Sequence, residues 1–385
     1  MIALRVVVFL VGVIVALWTV MSALRTTVLP RSAQVAISRW VYRAMRRLFL
    51  IPAGPSQPFA RRDRVLALYG PTTLLALPIV WLFLIGSAYS FMFWALDTGS
   101  LANAIALSGS SLTTLGFVVA TTTAERMLAF TEAGWGLILI TLMITYLPSI
   151  YSTFARRETQ VALLEVRAGN PPSAVEMLIR YYRIGWVASA EETWLDWERW
   201  FAEIEESHTT FPILAFFRSP QPQRSWVTAS GTVLDAAALY VSCIERIPAG
   251  PARVCIRSGF LTLRQLADFF GIVFDRDPEP DDPISISRDE FDSAWDQMKE
   301  AGLELKADQD QAWRDFAGWR VNYDTALLAL AEVTVAPYAP WSSDRSAPSR
   351  LEPRLRRFGF KPRSAAARPQ LVGSPFRRLR RPRDG

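Results

Sequence analysis

Residues 97–132 read DTGSLANAIALSGSSLTTLGFVVATTTAERMLAFTE, and the fold turns on this stretch. Its only charges are Asp97, Glu125, Arg126 and Glu132; the rest is Ser, Thr, Gly, Ala and larger apolar residues. Asp97, Thr98 and Ser100 offer N-caps, and Leu101–Leu112 suits about three turns of helix. Thr113-Thr114-Leu115-Gly116-Phe117-Val118 follows, a run of hydroxyls, apolar side chains and one glycine. At membrane depth such irregular backbone leaves polar groups without partners unless it is buried in protein or lines a water-filled path. A short helix followed by a Thr/Gly segment therefore reads as a re-entrant loop, provided that membrane spans flank it.

They do. Val65–Leu96 precedes the stretch and Ala133–Ala155 follows it, both uncharged, and Val6–Leu24 is a third such run. A span takes about 20 apolar residues. The formal net charge of +6 hides an uneven distribution: nine arginines against one aspartate in Arg25–Gly70, 18 basic against 30 acidic residues in Ala155–Asp344, and 13 basic against two acidic in Arg345–Gly385. A signal-peptide reading of the first run would export the arginine-rich segment, against the cytoplasmic bias of short basic loops. The first run is therefore read as a retained helix. The same rule places the N-terminus and Asp97–Glu132 outside, residues 25–64 inside, and return to the cytoplasm at Arg156–Arg157.

The expected class is an all-α membrane protein with three transmembrane helices, a re-entrant pore loop and a mainly helical cytoplasmic domain. Its parts are a first span (1–24), a basic cytoplasmic interfacial segment (25–64), the span–loop–span unit (65–155), the helical domain (156–344) and a basic disordered tail (345–385). The apolar content of 51% excludes a chain disordered throughout, and 20 Gly and two Cys exclude a collagenous or disulfide-stapled class. In the interfacial segment Ile37, Val41, Ala44 and Leu48 recur at helical spacing. Arg39, Arg43 and Arg46 fall opposite, with Arg47 beside them, so these arginines are expected to face anionic headgroups.

Helices are expected at Ser173–Arg183, Glu191–Glu206, Trp226–Ile247, Leu261–Phe270, Arg288–Ala301 and Gln311–Val333. Trp194, Trp197, Trp200 and Phe201 form a core stripe. Asp275–Pro283 reads as a loop and Phe211–Asp235 as a packed junction. His208 stands alone and reads as a structural hydrogen-bonding residue; Cys243 and Cys255 indicate neither a disulfide nor zinc. With no nucleophile–base pattern and no glycine-rich nucleotide-binding loop, neither an enzyme nor a cofactor is expected. The tail is expected to meet anionic lipid rather than nucleic acid.

Span, short helix, Thr114-Leu115-Gly116-Phe117 and span together resemble the pore module of potassium channels, whose filter reads T-V-G-Y-G, with Phe for Tyr in some branches. The resemblance covers about residues 65–155. It implies a homotetramer passing potassium or another monovalent cation, with the carbonyls of Thr113–Val118 toward the axis, the Thr114 hydroxyl at the inner end and Phe117 packed outward. No metal is implied beyond the permeant ion. Val118 stands where the family has its second glycine, a position needing positive φ, which a β-branched residue adopts only at a cost. Gly134, Gly136 and Pro148 are candidate gate or hinge positions, close packing being the plainer reading of the glycines. A non-conducting membrane scaffold or sensor with the same architecture is the alternative, and a lipid-directed enzyme a third that lacks a catalytic constellation.

Overall fold

The computed structural model describes residues 2–27, 36–54, 56–187, 189–245 and 248–345. Among them every regular element is helical: α1 Ile2–Thr27, α2 Ala36–Leu50, α3 Phe59–Ala67, α4 Tyr69–Ala95, α5 Leu101–Leu112, α6 Thr123–Ala168, α7 Ala174–Arg183, α8 Glu191–Thr210, α9 Trp226–Cys243, α10 Ala249–Phe270, α11 Arg288–Glu300, α12 Gln309–Arg320 and α13 Asp324–Thr334. A 3₁₀ turn, Pro212–Phe216, joins α8 to the loop before α9. Among the described residues three stretches are long and apolar enough to cross a membrane: α1, the α3–α4 stretch Phe59–Ala95, and α6. The disordered tail expected over 345–385 lies, from residue 346 onward, outside the described residues.

α1 and α4 run antiparallel, and Arg5 near the start of α1 meets Asp97 just past the end of α4 at 2.8 Å. Small residues let them approach: a Cβ on Gly12 would fall 2.5 Å from Met92 Cγ and 2.9 Å from the Ala88 carbonyl oxygen. In a bilayer, where lipid removes the hydrophobic drive between helices, close van der Waals packing of this kind is what holds such helices together. Behind that seam Ala23, Ile85 and Phe93 are fully buried, while Val7, Leu10 and Ile14 on the far side of α1 are exposed, as side chains in contact with lipid are.

α6 is longer than the apolar run that announced it. Its 46 residues begin at a capping box, in which the Glu125 amide donates to Thr122 Oγ1 and the Glu125 carboxylate accepts from the Thr122 amide. Glu125, Arg126 and Glu132, expected in a loop, thus lie on a helix. Satisfying its first-turn amides lets the helix start ten residues before the apolar run. α2 also differs from expectation. Ile37 and Val41 are buried, but Leu48, expected on the same face, is 59% exposed, and Trp40 is 65% exposed. The buried face instead continues through Tyr42 and Met45, which pack on the other membrane helices.

A second apolar core is built from buried residues between Val161 and Val333. Trp194, Trp197, Trp200 and Phe201 are all essentially unexposed, as their helical spacing predicts. Each such ring buries roughly 200 Å², worth a few kcal/mol at about 25 cal/mol per Å². At its centre Arg320, fully buried, donates to both carboxylate oxygens of Asp235 (2.5 and 2.7 Å), to Asp324 (2.7 Å) and to the Trp341 carbonyl (2.6 Å). The helix expected over Gln311–Val333 is broken there: α12 ends at Arg320 and α13 starts at Asp324, so that the turn between them sets Arg320 against one of its partners, Asp324. α10 starts twelve residues before its expected beginning at Leu261.

Candidate functional site: the turn after helix α5

α5 spans the twelve residues expected of it, Leu101–Leu112, and Ser100 caps it by accepting the Asn103 amide at 3.2 Å. It packs between α4 and α6. Beyond Leu112 the chain leaves the helix through Thr113, and two residues then take positive φ, Thr114 at 58° and Gly116 at 71°. Gly116 adopts this conformation without strain, whereas at Thr114 it costs a β-branched residue energy. Val118 has no positive φ, so the strain expected there does not arise.

One serine organises this turn. The Ser110 carbonyl accepts the amides of Leu115 (3.0 Å) and Gly116 (3.4 Å), and its hydroxyl accepts the amide of Val118 (3.1 Å). In a planar trans peptide each carbonyl points opposite to the next residue's N–H. With those three amides drawn toward α5, the carbonyls of Thr114, Leu115 and Phe117 point away from it. Among the described residues no hydrogen bond reaches the carbonyls of Thr114, Leu115, Gly116 or Phe117. The side chains beside them are open as well, Leu115 being 69% and Phe117 66% exposed. Val118 turns the other way and packs against the membrane-helix core. The two threonine hydroxyls are directed backward: Thr113 donates to the Gly109 carbonyl (2.5 Å) and Thr114 to that of Thr113 (2.7 Å).

Behind α5, Ser108 Oγ lies 2.5 Å from Glu132 Oε1 and 2.9 Å from the Gly86 carbonyl oxygen, so this residue ties α5 to both α6 and α4. Glu132 is fully buried. Ser108 and Ser110 were not among the residues singled out from sequence, and Glu132 was noted only as one of the four charges of the stretch. The signal was present in Leu107-Ser108-Gly109-Ser110-Ser111, a serine-rich end to a helix between apolar runs, and in one acid on an otherwise apolar helix face.

The other expected positions divide. A Cβ on Gly136 would stand 2.2 Å from the Leu112 carbonyl oxygen, so this glycine is where α6 touches the end of α5. Gly134 has open space around its Cα, and α6 runs on as one helix through both glycines and Pro148. Of the arginines expected to face lipid, Arg47 is exposed. Arg46 is turned inward: it donates to the Val333 carbonyl at 2.9 Å and stands 5.0 Å from the Phe216 ring, because its face of α2 meets residues 211–335. Arg39 and Arg43 are half-buried.

His208 sits far from this turn, buried where α6 meets the 3₁₀ segment. Arg157, also buried, donates to the carbonyls of Leu214 and Phe217, both at 2.7 Å, and approaches His208 Nε2 at 3.2 Å. A guanidinium only donates, so Nε2 accepts and Nδ1 carries the hydrogen, which it donates to Ser207 Oγ at 3.0 Å. Burial, and then the Arg157 charge, hold the imidazole neutral, its pKa well below the ordinary value.

Comparisons with models of protein families, with curated proteins and with solved structures gave no match.

Proposed function

We propose that this chain is one subunit of a homotetrameric, potassium channel-like pore that conducts cations passively across the plasma membrane. The observation that carries the reading is the row of carbonyls at Thr114, Leu115 and Phe117, without partners among the described residues and turned away from α5 by the hold of Ser110 on the following amides. Between membrane spans, backbone in that state is tolerated where it lines a water-filled path, and carbonyl oxygens there replace the hydration shell of an ion. One chain supplies one such row, so a closed wall needs several copies about an axis. The exposed apolar side chains of α6, Phe130, Leu137 and Ile144 among them, suit contact with further copies and with lipid. The sided arrangement fits too. The ends of α1 and α4 meet at Arg5–Asp97, outside on this reading, while the arginine-rich segment joins the helical domain through Arg46–Val333 and Asp63–Arg218 on the cytoplasmic side.

The test is purified protein in liposomes under a potassium/sodium gradient. Expected are a tetramer in detergent and a cation current, abolished by Gly116→Asp, which places a side chain at positive φ and a charge on the path. A monomer without flux sinks the proposal. Val118 favours the second reading, a non-conducting scaffold or sensor: its amide is tied to Ser110 and its side chain to the core, so the filter-like row is shorter than the T-V-G-Y-G pattern requires. A tetramer that is silent as it stands and conducts potassium as Val118→Gly would establish that reading.

A further inference from the structure

Glu132 is fully buried where α4, α5 and α6 meet, and among the described residues no cation pairs with it. α4 and α5 carry no Asp, Glu, Lys or Arg; the titratable group that α4 turns toward it is Tyr89, whose hydroxyl bonds Thr131 at 3.1 Å. On α6 itself the charges nearest in sequence are Arg126, whose guanidinium reaches the Ala120 and Thr121 carbonyls, and Glu125, which serves the capping box. On α1, Arg5 is paired with Asp97.

Burial without a cation and the count of hydrogens both bear on the state of the carboxyl, the Gly86 carbonyl also accepting the Ser90 hydroxyl at 2.7 Å. The Ser108 hydroxyl has one hydrogen, yet its oxygen lies within bonding distance of two others, Gly86 O at 2.9 Å and Glu132 Oε1 at 2.5 Å. A backbone carbonyl only accepts. If Ser108 donates to Gly86, the second hydrogen must come from Glu132. Glu132 Oε2 meets no donor among the described residues. A carboxylate left with one such partner and no cation, out of contact with water, would carry a large desolvation cost, which the neutral acid avoids.

We infer that Glu132 is a proton-binding site: the neutral acid donates to Ser108, Ser108 donates to the Gly86 carbonyl, and this chain pins α5 between α6 and α4. An ionisable residue within a membrane segment is a functional candidate by default. Here its proton holds the helix whose last turn, through Ser110, shapes the exposed carbonyl row. Ionisation adds a charge and removes the hydrogen that Ser108 accepted. Ser108 then turns its own hydrogen to the carboxylate and releases Gly86, which loosens the seat of α5. The proton site stands on burial, the lack of a cation among the described residues and the hydrogen bonding of Ser108; its link to conduction rests on the pore reading.

The test is infrared difference spectroscopy of the full chain in liposomes, paired with flux at neutral and alkaline pH. At neutral pH the wild type shows the carbonyl stretch of a protonated carboxylic acid, lost in Glu132→Gln and displaced in Ser108→Ala, which keeps the acid but removes its partner. Flux falls as pH is raised in the wild type, and Glu132→Gln, which cannot ionise, removes that dependence. Spectra in which wild type and Glu132→Gln agree in this band overturn the inference, whether or not the protein conducts. A silent protein that shows the band supports the proton site and counts against the pore.

Discussion

His208 and Arg157 set two potential cations side by side in a buried junction, and the arrangement is stable only while the imidazole stays neutral. Because the folded pKa lies well below the ordinary 6.5, the unfolded chain takes up the proton first as pH falls. Stability is therefore full above about pH 6.5 and is lost below it, by up to about 1.4 kcal/mol per pH unit. Thermal unfolding in detergent between pH 7.5 and about 5 should show this slope, and His208→Gln should flatten it; equal slopes would show that His208 gains its proton in the fold. A lone histidine in Glu206-Ser207-His208-Thr209 could be read as structural, but its partner lies fifty-one residues earlier in the chain. Ser110 was hidden for the same reason. A serine in a helix's last turns is unremarkable until the chain returns to place Val118 on its hydroxyl.

Among the helices, α5 was the most legible, since a capping serine, an apolar stretch and a run of threonine and glycine mark its limits locally. α6 was half legible. Its apolar middle is plain, but its start depends on reciprocal bonds between Thr122 and Glu125, and its continuation to Ala168 on packing beside α7 and α9. Its two glycines look alike in sequence and differ in place. Gly136→Ala drives a methyl group into the Leu112 carbonyl and should cost on the order of 2 kcal/mol, the scale of overpacking. Gly134→Ala meets nothing and should stabilise the helix by up to about 1 kcal/mol through propensity alone. Melting temperatures of the two variants in one detergent check this; a destabilised Gly134→Ala with a neutral Gly136→Ala would mean that α5 and α6 do not meet here.

Across the whole molecule, the membrane helices and the C-terminal helices are joined by a few specific polar contacts over an aromatic seam. Arg218 donates to Asp63 at 2.5 Å and to the carbonyls of Thr334 and Val335, binding the start of the second span to the end of α13. Tyr69, Leu74, Ile150, Ile213, Leu214 and Phe217 form the apolar part of the junction, and the Arg218 and Asp63 side chains are themselves only 11% and 10% exposed. Removing one partner of so enclosed a pair leaves the other charge stranded, so Asp63→Ala should cost about 3 kcal/mol. Arg218→Ala should cost a similar amount, and the double variant less than the two together. Thermal unfolding of the four proteins measures the coupling, and strict additivity would show that the pair does not act as one. Phe211–Asp235 could be read as a junction because aromatics beside arginine need somewhere to pack; that Asp63 was the partner could not.

The sequence by itself determined what depends on near neighbours and composition: three apolar runs, a helix at Leu101–Leu112, a tryptophan core stripe and the segregation of charge. These follow from helical period, local capping and the cost of polar backbone in lipid, each readable within a dozen or so residues. Only the tertiary structure decided which hydrogens meet which acceptors. It turned Arg46 to Val333 rather than outward, made Gly136 a contact point, relieved Val118 of positive φ, and set Glu132 against Ser108. The physical reason is that a hydrogen bond or a close backbone approach is a matter of ångströms between groups that may stand dozens of residues apart, and no periodicity along the chain encodes that distance.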